Sequence, residues 1–149
     1  MDSIDYNFVK RLHENARITV KELANDVFIS APATSARIEK MRNDGIIKGY
    51  HAHFDMEKLG FNVTAIVLFS LNNAFKEEFL QFSLKHKNII RVQGVLGEYT
   101  HIIEASFKHS TEVMPFLERL SAFGKVQPHI VTQEYKSYSQ AQFTDLLSE

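Results

Sequence analysis

The chain of 149 residues has no cysteine and no tryptophan, and only three prolines and six glycines. Without cysteine neither a disulfide frame nor a thiolate metal site can be built, and a reducing compartment is permitted. No apolar run approaches the roughly 18 residues of a membrane span, and the start Met1-Asp2-Ser3 carries no basic, apolar leader. A soluble, cytoplasmic protein is the expectation. Excess charge is also missing: 17 Lys and Arg stand against 18 Asp and Glu, a net charge of −1. That balance argues against a protein that coats nucleic acid indiscriminately. Residues 1–54 hold 8 basic and 7 acidic side chains, and residues 55–149 hold 9 and 11. Any role on nucleic acid must rest on a local patch.

Residues 30–43 supply one, with Arg37, Lys40 and Arg42 against Glu39, inside a pattern that runs from residue 19 to 45. Thr19-Val20-Lys21-Glu22 is a capping box, in which the hydroxyl bonds an amide three residues on and the glutamate reaches back. A helix showing Leu23, Ala24 and Val27 follows, and the chain turns through Phe28 and Ile29. Ser30 is a second hydroxyl N-cap, with Pro32 in the first turn where its missing donor does no harm. The second helix runs to Asn43-Asp44-Gly45, a stop that needs glycine's access to the left-handed region. Two short helices joined so tightly predict a helix-turn-helix, whose second helix enters the DNA major groove.

At about 100° per residue, Ala31, Thr34, Ile38 and Met41 share the side that packs on Leu23 and Val27. Pro32, Ala33, Ala36 and Lys40 fall opposite, with Ser35 and Arg37 on the flanks. The predicted DNA-binding set is Ser30, Pro32, Ala33, Ser35, Ala36, Arg37, Lys40 and Arg42, with Lys48 as a further phosphate contact. Its cations suit phosphates or guanine edges, Ser35 a base or phosphate, and the small residues the thymine methyl. The bland alternative is an amphipathic hairpin with a solvated charged face.

A first helix, with Ile4, Phe8 and Leu12 at helical spacing, supplies a third wall, and residues 46–54 read as an extended connector. From about residue 61 the period changes. Val63 to Leu71 reads as a strand, 74–87 as a helix, Ile89 to Leu96 as a strand, Gly97-Glu98 as a turn and Tyr99 to Phe107 as a strand. A helix with Val113, Phe116, Leu117 and Leu120 then precedes a last strand from Val126 to about Tyr138 and a short terminal helix. The phenylalanines Phe75, Phe79, Phe82, Phe116 and Phe123 are expected in the core. The order βαββαβ predicts a ferredoxin-like sandwich with both helices on one sheet face, leaving the other to be covered by a partner's sheet. The fold class is thus α+β, with a winged-helix-like helix-turn-helix at residues 1–50, a linker at 51–61 and the sandwich at 62–149.

Other chemistries find little support. The seven histidines include His51 and His53 at i, i+2, but three or four converging ligands are not evident and no His-Glu-x-x-His is present. Neither a nucleophile elbow nor a phosphate loop surrounds the glycines. Glu77-Glu78 are consecutive on a helix and point apart, which suits a solvated face better than acid–base catalysis. No catalytic residue, metal ligand or cofactor is expected.

The segments Ile4-Asp5, Asn15-Ala16-Arg17, Glu22-Leu23-Ala24, Arg37-Ile38, Gly45-Ile46-Ile47 and Gly49-Tyr50 resemble the Lrp/AsnC (feast/famine) transcriptional regulators, and Asp55 with Leu59-Gly60 resembles their linker. Residues 36–49 look closest to asparagine-type members. Val95-Leu96-Gly97-Glu98-Tyr99 resembles the turn where the family senses small effectors. The resemblance implies a homodimer assembling to an octamer, double-stranded DNA as partner, and an amino acid, possibly asparagine, bound between dimers by Gly97, Glu98, Tyr99 and Thr100. Many members end that turn in aspartate, where this chain has the neutral hydroxyl of Thr100. Distant relatives of this pair of folds act as haem-pathway decarboxylases, which supplies an enzymatic alternative. An effector-binding assembly partner with weak DNA affinity is another.

Overall fold

The computed structural model describes residues 1–135, so the expected strand extension to Tyr138 and the terminal helix lie outside the described residues. The chain divides into two compact units, whose bodies are Met1–His53 and Phe54–Glu134.

The first unit is three helices, α1 (Ser3–Glu14), α2 (Val20–Asp26) and α3 (Ala31–Asn43). Each begins on a side-chain cap. Asp2 and Asp5 close a capping box on α1, Thr19 and Glu22 close one on α2, and the Ser30 hydroxyl accepts the Ala33 amide at the start of α3. Phe8, Leu23 and Met41 are buried together, with Ile4, Leu12, Val27 and Ile38 packed around them. Full burial of a side chain of this size contributes about 1.5–3 kcal/mol. Thr34, fully buried on α3, satisfies its hydroxyl by donating to the Ser30 carbonyl at 3.2 Å. Ala31 was expected on this buried side but is exposed, because it stands in the first turn of α3. The helix ends as expected: Gly45 takes φ +72°, and the Ile46 amide bonds back to the Met41 carbonyl.

The second unit runs β1 (Val63–Leu71), α4 (Lys76–Lys85), β2 (Ile89–Gly94), β3 (His101–Phe107), α5 (Val113–Ser121) and β4 (Gly124–Ile130). All pairings are antiparallel, in the order β2-β3-β1-β4. Period-two alternation sorts β1. Ala65, Val67 and Phe69 are buried, and they join Ile103, Ala105 and Phe107 of β3, Phe79 of α4, and Val113, Phe116, Leu117 and Leu120 of α5 in one core. The opposite face shows half-buried Ile66, Leu68 and Ile102, with Leu68 paired to Ile102 and Gln127 across the ladders. Phe79, Phe82, Phe116 and Phe123 belong to the core or its rim, but Phe75 is exposed. Asn72 caps a short 3-10 turn over Asn73–Phe75, so the α-helical register that would have turned Phe75 inward begins only at Lys76.

Between α2 and α3, Phe28 adopts φ +56° while its side chain is 96% exposed. A β-carbon in the left-handed region costs about 1–2 kcal/mol, and no burial offsets it. Phe28→Gly should therefore raise the stability of the first unit by about 1 kcal/mol, read from chemical denaturation followed by helical circular dichroism. An unchanged or lower midpoint would show that the ring is held by contacts that outweigh the strain.

Candidate nucleic-acid interface and effector turn

Because Thr34 and Met41 point inward, α3 turns Pro32, Ala33, Ser35, Ala36, Lys40 and Arg42 to the surface. Ser30 is exposed too, but its hydroxyl is occupied by the helix cap at 3.3 Å. The exposed first two turns are small-sided, so backbone and methyl groups there can approach a duplex closely.

Arg37 departs from the expected picture. Its guanidinium is half-buried against α1, 2.7 Å from Asp2 Oδ2 and 2.8 Å from Asp5 Oδ1. The α1 capping box places both carboxylates beside the middle of α3, 32 and 35 residues away in sequence. Bonding to Asp5 and Asp2 holds the Arg37 guanidinium above its ordinary range, and Asp2 is lowered, first by the Asp5 amide and then by Arg37. To reach a base, Arg37 must give up two charge-assisted bonds. A similar pair fastens α2: Arg11 Nε lies 2.6 Å from Asp26 Oδ2.

Arg42 bonds Glu39 at 2.7 Å on the surface of the same helix, an exposed pair of little energetic weight. Lys40 has no carboxylate partner among the described residues. Arg42 and Lys48, with Gly49 and Tyr50 of the connector, border one cleft of about 300 Å³ at the end of α3. Arg17 and Lys21, exposed around the start of α2, are cations that the sequence reading passed over. The signal was available, since the first helix of a helix-turn-helix crosses the DNA backbone.

In the second unit the predicted effector residues lie in the β2–β3 connection. Gly97 has φ +151°, a conformation that L side chains rarely adopt. The hydroxyl of Thr100 is committed to the fold. It donates to the Phe69 carbonyl at 3.2 Å, accepts the Leu71 amide at 3.0 Å and lies 2.8 Å from His101 Nδ1. Tyr99 donates its phenolic proton to Gln127, and Glu98 lies 3.9 Å from Lys125. Thr100, expected to face a ligand, therefore stitches the turn to β1. Among the described residues no cluster of His, Asp or Glu is arranged to hold a metal ion, and no helix is long and apolar enough to cross a membrane.

A helix-turn-helix unit joined to a ferredoxin-like sandwich defines a DNA-binding regulator with a separate second domain. A family profile for winged helix-turn-helix DNA-binding domains matches residues 1–48. The HTH-type transcriptional regulator LrpB of Bacillus subtilis is 32% identical over 139 residues, covering 93% of each chain. The structure of Bacillus subtilis LrpC superposes with a TM-score of 0.86 at 26% identity, covering 92% of this chain and 98% of that one. A Neisseria meningitidis transcriptional regulator in complex with L-Met shares the fold, with a TM-score of 0.87 at 23% identity over 98% of this chain and 99% of that one. The chain belongs to the Lrp/AsnC family of DNA-binding transcriptional regulators. These relatives are regulators and not enzymes, which removes the decarboxylase alternative.

The Thr100 geometry sets an expectation for stability. Thr100→Val should cost the sandwich about 1 kcal/mol or more through the lost donor and the orphaned Leu71 amide, while Thr100→Ser should retain most of it. Equal thermal midpoints for the valine and serine proteins would show that the hydroxyl is not structural.

Proposed function

We propose that α3 reads operator DNA through its N-terminal half, with Pro32, Ala33, Ser35 and Ala36 in the major groove. Lys40 and Arg42 on α3 and Lys48 in the connector neutralise phosphates, joined by Arg17 and Lys21 at the start of α2. Arg37 is a positioning residue that fixes the angle of α3 on α1. The observation that carries this reading is the outward, small-sided and unobstructed face of α3. So few polar groups reach bases that DNA shape and bending supply much of the specificity.

The apolar, half-buried sheet face around Ile66, Leu68 and Ile102 supports a homodimer made by pairing sandwiches, with an octamer as the further assembly. Paired recognition helices about 34 Å apart then select a roughly palindromic site. Residues 1–50 act as the DNA-binding domain, 51–61 as a linker and 62–149 as the oligomerisation and sensing domain. An amino acid modulates assembly or DNA affinity at the turn from Gly97 to Thr100. The L-Met complex of the Neisseria regulator supports that class of ligand, and the resemblance of residues 36–49 to asparagine-type members puts asparagine among the amino acids to test. With the Thr100 hydroxyl engaged, backbone groups beside Gly97 and the carboxylate of Glu98 make the ligand contacts.

Lys40→Ala should weaken binding to all duplexes similarly and reduce the slope of log affinity against log salt by about 1. An unchanged slope in gel-shift titrations removes Lys40 from the interface. Asp5→Asn separates the two roles of Arg37. If Arg37 only positions α3, the change lowers the melting temperature and leaves affinity the same or weaker. Tighter binding with altered sequence preference would instead make Arg37 a base reader. Leu68→Glu should convert the dimer to monomers in sedimentation, and a dimer that persists would place the interface elsewhere. A thermal-shift screen of the protein amino acids, read with oligomer size, tests the effector: no response to any of them refutes amino-acid sensing.

A further inference from the structure

The second unit carries a cleft of about 500 Å³ that neither DNA binding nor the effector turn uses, lined by Gln81, Phe82, Lys85, His86, Lys87 and Arg119. Its floor is aromatic. The Phe82 and His86 rings lie 4.9 Å apart, and Phe116 backs His86 at 5.1 Å. Its rim is cationic, with the Arg119 guanidinium 5.3 Å from the centre of the Phe82 ring. Among the described residues, Lys85, Lys87 and Arg119 have no carboxylate partner, although Glu104, Glu98 and Asp55 elsewhere in this unit each pair with a cation. His86 adds a directed donor. Its Nδ1 accepts the Asn88 amide at 3.3 Å, so the neutral ring carries its proton on Nε2.

Each of Lys85 and Arg119 stands in the last turn of its own helix, where a cation suits the macrodipole. That accounts for them singly, but not for their convergence with Lys87 on one concavity without an acid. Burial first, and then the neighbouring charges of Arg119 and Lys87, hold the His86 ring below its ordinary range of protonation. A bound anion would reverse the last two effects. The concavity is of the size that takes a small ligand. Residues 55–149 are net acidic, so these cations are a local concentration against the overall charge of their segment.

We propose that this cleft binds a small phosphorylated ligand bearing a planar ring, of the nucleoside monophosphate class. The ring packs on the His86 imidazole at the edge of Phe82, and Lys85, Lys87 and Arg119 hold the phosphate. Three convergent cations match a phosphate dianion better than a single carboxylate, and the aromatic floor adds a surface that a free inorganic ion cannot use. This goes beyond the amino-acid reading and uses none of the residues of the effector turn.

The test titrates the full-length protein with adenosine and guanosine monophosphates, with the uncharged nucleosides, and with inorganic phosphate, using calorimetry and thermal shift. The monophosphates should bind about tenfold or more tightly than either half alone, and the affinity should fall as salt is raised. Arg119→Gln and the double change Lys85→Gln with Lys87→Gln should each remove that binding. Both proteins should retain their fold and their affinity for duplex DNA. On binding, the His86 ring should titrate at higher pH, observed by nitrogen–proton correlation NMR. No saturable binding of any monophosphate at millimolar concentration overturns the proposal, as does binding equal to that of inorganic phosphate. Loss of duplex affinity in the variants without any nucleotide response overturns it too, by assigning the cations to the DNA backbone.

Discussion

Everything on the exposed face of the helix-turn-helix follows from which side of α3 the three-helix core takes. Phe8, Leu23 and Met41 meet at the centre, and Thr34 completes the contact by returning its hydroxyl to the Ser30 carbonyl. With those side chains inward, helical geometry leaves the rest of α3 no choice of direction. The small residues of its first turns and Lys40 become surface, while Arg37 is carried round to α1. Residues 1–54 carry hardly any excess charge, 8 basic against 7 acidic side chains, so the fold and not the composition sets where cations are exposed.

The second unit works by the same one-sidedness. Alternation along β1 buries Ala65, Val67 and Phe69 beneath α4 and α5, and it turns Ile66 and Leu68 to the opposite face, where they are half-buried among the described residues. The β2–β3 connection, in contrast, is held internally: Thr100 and Tyr99 spend their hydroxyls on the adjoining strands.

Most of the fold was legible from local patterns because its signals are local. The Thr19–Glu22 box, the Ser30 cap and the Gly45 stop act within four residues, and the structure places each as expected. The βαββαβ order followed from the change of hydrophobic period. Two details misled for the same kind of reason. Phe75 fits the spacing of a helix that begins later than its apolar residues suggest, and Ala31 sits in a first turn that the neighbouring helix does not cover.

The sequence by itself determined where helices start and stop, which face of each element is apolar, and that a helix-turn-helix precedes a sandwich. All of these depend on residues a few positions apart, whose mutual geometry the backbone fixes. Only the tertiary structure decided what the polar groups do. Arg37 finds Asp2 and Asp5 across more than thirty residues, Thr100 finds Phe69 and Leu71, and Arg119 arrives beside Phe82 and the pair Lys85 and Lys87. Hydrogen bonds and ion pairs act over a few ångströms, so their partners exist only after distant segments have been brought together.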